Sequence, residues 1–84
     1  MNPATITGLE ESLSSFDRAI DIDPDDLNAH YARWGVLIWL NRIPEAREEV
    51  RIFKFTEGAN PARIEFMEEV TDSPKYYGNR IMRT

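Results

Sequence analysis

Three sets of side chains in this chain could do chemistry, and each lacks a component that its chemistry needs. The acidic run Asp21-Ile22-Asp23-Pro24-Asp25-Asp26 has the density of oxygen ligands that calcium takes. A calcium loop of the EF-hand type also needs glycine at its sixth place and a bidentate glutamate at its twelfth. Counted from Asp21, those places hold Asp26 and Ala32, and Pro24 interrupts the loop. The run reads instead as a solvated turn that stops one helix and caps the next. His30 is the only histidine, and no cysteine is present to complete a zinc site around it or to form a disulfide. A general base would need a nucleophile or a substrate pocket nearby, and no motif for either occurs, so a helix-packing role is expected. Glu45, Glu48, Glu49, Glu65, Glu68 and Glu69 are numerous enough for a di-iron site. That chemistry wants Glu-x-x-His on facing helices, which this chain does not contain, and a water-facing position is expected for these glutamates. Glycine-rich phosphate loops and serine elbows are missing too. The expectation is a chain with no catalytic residues, no metal ligands and no cofactor.

Composition narrows the class further. Eighty-four residues, 42% hydrophobic and 11% aromatic, make one small globular domain. The net charge of −5 opposes the phosphate neutralisation that nucleic-acid binding requires. Charge is also uneven: residues 1–42 carry seven acids and three bases, whereas residues 72–84 carry one acid and three bases. Lys75, Tyr76, Tyr77, Arg80 and Arg83 give that tail a basic and aromatic character, too weak for a nucleic-acid footprint. The apolar run Val36-Leu37-Ile38-Trp39-Leu40 is far too short to span a bilayer, and the first residues lack a signal peptide's basic start and apolar stretch. A soluble, cytoplasmic protein with no membrane partner is expected.

Any site must be positioned by helices, since no strand signal appears. Thr7 and Glu10 form a capping box, and Leu9, Leu13, Phe16 and Ile20 follow as one apolar stripe. Pro24 ends that helix, and Asp25 or Asp26 caps a second over about Asp26–Leu40. Pro44 and the glutamates behind it open a third helix over about Pro44–Glu57, closed by Gly58. Asn60-Pro61 opens a fourth that runs to about Thr71. The boundaries predicted are a lead-in over residues 1–7, an all-α antiparallel array of about four helices over 8–71, and a tail or capping segment over 72–84.

Thirty-four residues separate Leu9 from Ile43, Ser12 from Ala46, Phe16 from Val50 and Ala19 from Phe53. A 34-residue period with a small residue four before a large apolar one resembles the tetratricopeptide repeat (TPR) family, whose paired helices stack into a right-handed superhelix. Ser12, Phe16, Ala19 and Pro24 match the second-helix half of that motif, and Ala46 and Val50 match it again. Gly58 stands where the second proline belongs, and Pro61 comes three residues late. The first-helix half departs: its tryptophan, leucine, small and tyrosine slots hold His30, Arg33, Trp34 and Leu37. Trp34 replaces the small residue that lets paired helices approach. Either the pair opens there, or the register slides by one and Gly35 becomes the contact residue.

The resemblance implies a binding scaffold whose first-type helix lines a groove for a peptide or helix of another protein. Carried onto this chain, that face comprises Asn28, Tyr31, Gly35 (or Trp34 if the register slides), Ile38 and Trp39. Tyrosine and tryptophan are frequent binding hot spots, with packing against the first and fourth helices as their competing role. The slots that grip a peptide carboxylate in some family members hold Tyr31 and Gly35, so that function is not implied. The alternative is a self-assembling accessory subunit, because fewer than three repeats leave end faces open. Phe16 is expected in the core between the second and third helices. Leu13, Ile20, Phe66, Met67 and Ile81 are expected at uncovered ends, closed by a second copy or by residues 74–84. Chelation should leave helicity and melting unchanged; calcium-dependent stabilisation in a circular-dichroism melt would instead restore Asp21, Asp23 and Asp25 as ligands.

Overall fold

The computed structural model describes residues 3–73, which form four helices: α1 (Pro3–Ile22), α2 (Leu27–Trp39), α3 (Ile43–Phe55) and α4 (Pro61–Asp72). No strand occurs among the described residues. Connections of four, three and five residues keep consecutive helices in contact, giving an all-α four-helix bundle. Residues 74–84, with Ile81 and the expected capping segment, lie outside the described residues.

Local chemistry accounts for the boundaries. The Asp26 carboxylate accepts the Ala29 amide at 3.1 Å and starts α2. At the other end Asn41 takes a left-handed φ of 59°. Its amide donates to Ile38 at 3.0 Å and that of Arg42 to Leu37 at 2.9 Å, the two closing bonds of a Schellman motif. Gly58, at φ 89°, turns the chain after α3, and the Asn60 side chain caps the first turn of α4. The start of α1 differs from expectation. It begins at Pro3, so Thr7 and Glu10 lie inside the helix and do not cap it. Proline is favoured in a first turn, and Asn2-Pro3 repeats in sequence the pair Asn60-Pro61 that opens α4.

Leu13, Trp34, Leu37, Ile38, Ala46, Val50, Phe53, Met67 and Val70 form the core. Phe16 is not among them; it is half-buried, and Leu13 takes the inward position on α1. The 34-residue equivalence fails here for a physical reason. Its counterpart Val50 belongs to α3, which packs on both α2 and α4, whereas α1 packs chiefly on α2. Ser12 and Ala19 are likewise half-buried where Ala46 and Phe53 are fully enclosed. Two residues expected at uncovered ends, Leu13 and Met67, are buried, and Ile20 is half-buried. Phe66 does remain exposed.

A polar network crosses this core. Glu49 is only 4% exposed, although a water-facing position was expected for it. One carboxylate oxygen lies 2.7 Å from His30 Nδ1, and the other accepts from Arg33 Nη1 at 2.9 Å. Arg33 Nε donates to Asp17 at 2.8 Å, and His30 Nε2 meets the Pro24 carbonyl at 2.7 Å. That carbonyl only accepts, so Nε2 carries a proton, and the Nδ1–Glu49 contact needs a second one between ring and carboxylate. Partial burial acts against the Arg33 charge, but the hydrogen bond to Asp17 and the field of Glu49 outweigh it, and the Arg33 pKa is raised. No buried side-chain nitrogen or oxygen among the described residues lacks a partner.

Truncating Glu49 to alanine would leave His30 Nδ1 without its partner and Arg33 with Asp17 alone. Denaturant unfolding of Glu49→Ala should show a loss of about 3–5 kcal/mol. Phe53→Ala should cost about 3–5 kcal/mol and Phe16→Ala distinctly less. Equal losses at Phe16 and Phe53 would contradict the burial difference between α1 and α3.

Candidate functional site

Helix α2 has two working sides. Its inner side presents His30, Trp34 and Leu37, all buried. On the open side Asn28, Tyr31, Gly35 and Trp39 recur at steps of three, four and four, which places them along one helix face. Asn28 is exposed, Tyr31 and Gly35 are half-buried, and Trp39 is 40% exposed. Ile38, assigned to the same face from the sequence, is 8% exposed and belongs to the core, so it offers a partner little surface.

An aromatic cluster backs this face. The Tyr31 ring lies 5.5 Å from Trp34 and 6.2 Å from Phe53, while Phe66 meets Trp34 edge-on at 5.9 Å. The Arg63 guanidinium stands 4.6 Å from the Tyr31 ring centre, at cation–π distance. Trp34 is anchored by its indole N–H, which donates to the Thr71 hydroxyl at 2.8 Å; that hydroxyl donates onward to the Met67 carbonyl at 2.6 Å. With Trp34 held inward against α4, the open side of α2 falls to its neighbour Gly35.

This placement bears on one of the two registers expected at Trp34. Among the described residues Gly35 is not a close-contact residue: a Cβ built there meets nothing within 4 Å. Trp34 itself is buried, with its indole bonded to Thr71 and its ring edge-on to Phe66, both on α4. Arg63 and Phe66 complete the cluster, and the sequence alone did not assign them to the face. Phe66 was legible as an exposed apolar residue on α4, but the Tyr31–Arg63 stacking joins residues 32 positions apart and carries no one-dimensional signal.

Other clusters are engaged within the fold. Both His30 ring nitrogens are occupied, so the ring has none left for a substrate or a metal. Among the described residues no group of three His, Asp or Glu is placed to hold a metal ion. A shallow groove of about 260 Å³ between α3 and α4 is bridged by the ion pairs Arg47–Asp72 at 3.0 Å and Lys54–Glu68 at 3.6 Å. No described helix is long and apolar enough to cross a membrane.

Glycine inside a helix is unfavourable, and nothing nearby requires it at position 35. Gly35→Ala should therefore raise stability by about 0.5–1 kcal/mol, read as a higher denaturant midpoint at unchanged slope. A loss would reveal a neighbour pressed against that backbone. Protein-family models, curated proteins and solved structures all yield no match to this chain. Its function is therefore read from the geometry of this face.

Proposed function

We propose that this protein is a non-catalytic, TPR-like interaction module that binds a peptide or helix of a partner protein on the open face of α2. The observation that carries this reading is the half-open aromatic cluster. Phe66, 46% exposed, meets the buried Trp34 ring at 5.9 Å, and Trp39, 40% exposed, lies further along α2. Rigid aromatic side chains at a desolvated patch are what binding hot spots are made of, because little conformational freedom is lost when a partner covers them. The 34-residue spacing of residue types between α1 and α3 supports the same assignment, although the two helices differ in burial.

Self-association is the competing reading. Ile22, 86% exposed, and Phe55, 79% exposed, stand at the C-terminal ends of α1 and α3, where a second copy would cover them. Sedimentation across concentration separates the two: a partner-binding module stays monomeric, and an assembling subunit does not. Capture from the source cell with wild type and with Trp39→Glu tests the main proposal. A partner retained by wild type and lost by the variant, at a similar melting temperature, is the expected outcome. Equal recovery by both proteins would remove the α2 face from consideration.

A further inference from the structure

The ends of α1 and α3 carry the two most exposed large apolar side chains of the described residues: Ile22 is 86% exposed and Phe55 is 79% exposed. They stand at one end of the bundle. Asp25, in the turn after α1, lines a shallow recess of about 470 Å³ together with Phe55, Thr56 and Glu57. The turn leading from Ile22 to that recess is tight, closed by the Asp26 amide donating to the Asp23 carbonyl at 3.1 Å. The start of α2 also meets the turn after α3, since a Cβ on Gly58 would lie 3.7 Å from the Leu27 side chain. Single apolar residues scattered on a surface are ordinary, but these two share an end and a recess.

The charge around them is of one sign. Residues 19–28 hold Asp21, Asp23, Asp25 and Asp26 with no base, and residues 55–62 hold Glu57 with no base. The ion pairs of the described residues use Asp17, Glu45, Glu48, Glu49, Glu68 and Asp72, and none of the five at this end. Lys54 is engaged by Glu68, and Arg63 stacks on Tyr31. Arg18, one turn before Ile22, is a single cation beside four aspartates.

That sign selects the occupant. A second copy related by a two-fold axis would set these carboxylates against their own images. Nucleic acid or an anionic membrane surface would bring phosphates toward them. A protein segment that carries Lys or Arg beside apolar side chains satisfies both the exposed apolar groups and the charge around them.

We propose that this end of the bundle is a second interaction surface, which takes a basic, apolar-centred segment of another protein. Apolar side chains of that segment cover Phe55 and Ile22, and flanking Lys or Arg side chains pair with Asp25 and Glu57 at the recess. The surface lies at the start of α2, whereas Trp39 is the last residue of that helix, so the proposal does not rest on the α2 face.

The probe is a displayed library of short linear peptides whose positions vary among Leu, Phe, Lys and Glu. It is selected on the full chain, and enriched peptides are titrated by fluorescence polarisation. Enriched sequences should combine Leu or Phe with Lys and lack Glu. Phe55→Ser removes an exposed ring, so circular dichroism should be unchanged while binding weakens about tenfold or more. Asp25→Lys combined with Glu57→Lys should weaken the Lys-bearing peptides about tenfold and admit their Glu counterparts. Raising salt from about 0.05 M to about 0.5 M should weaken the wild-type complex several-fold, because exposed charges are screened. Acidic enriched peptides, equal binding to wild type and Phe55→Ser, or no enrichment at all would overturn the proposal. Peptides lost to Trp39→Glu but held by Phe55→Ser would overturn it too, while supporting the α2 face. A wild-type dimer in sedimentation that Phe55→Ser dissociates would assign this end to a second copy instead.

Discussion

A carboxylate taken out of water loses several kcal/mol of hydration, more than most single apolar contacts return, so it survives only where charge and hydrogen bonds surround it. Glu49 meets that condition through His30 and Arg33, both on α2, and Arg33 is itself held by Asp17 on α1. His30 then fastens the α1–α2 turn through the Pro24 carbonyl. Three helices and one turn are thereby set by a single buried group. Apolar packing tolerates small rotations of a helix about its axis, but this network does not, because a shift would leave one member unpaired. The orientation of α2, and so of everything on its open side, depends on it.

The second constraint acts at the other end of the bundle. The Trp34 indole reaches the Thr71 hydroxyl, and that hydroxyl reaches the Met67 carbonyl, so α4 is tied to α2 by directional bonds as well as by contact. Phe66 and Arg63 are positioned by the same docking, which brings them against Trp34 and Tyr31. Rigidity and exposure are normally opposed for large aromatic side chains. Here a buried polar bond fixes the Trp34 ring, and the exposed Phe66 ring rests on it.

Helix number, the three connections and most helix ends were legible in the sequence, because capping residues, prolines and Gly58 act through local geometry that needs no tertiary context. The start of α1 was misjudged because Thr7-x-x-Glu10 and Pro3 are both start signals, and only packing decides between them. Phe16 was misjudged because a repeat predicts side-chain type, while burial depends on how many neighbours a helix has. Glu49 had a readable sign. It lies three after Ala46 and four before Phe53, on the apolar stripe itself, where a carboxylate must find partners. Its partners on α2 could not be named from spacing. For the candidate site, Tyr31, Gly35 and Trp39 share a stripe by helical periodicity alone, whereas Ile38, at the edge of that stripe, is turned inward by the core.

Agreement between local preference and global structure is the usual mark of a sequence selected for stability, and departures from it point to other demands. Helix α2 agrees almost throughout: Asp26 caps it, Asn41 closes it, and its inner side is apolar or fully paired. Gly35 is the departure. Among the described residues no turn, no positive φ and no crowding calls for a glycine there, since α2 is regular and a Cβ would meet no neighbour within 4 Å. The residue weakens the helix that the rest of the fold is organised around, and it does so at the one step where Tyr31 and Trp39 would otherwise be separated by a side chain. Among the described residues nothing in the fold calls for a glycine at that step.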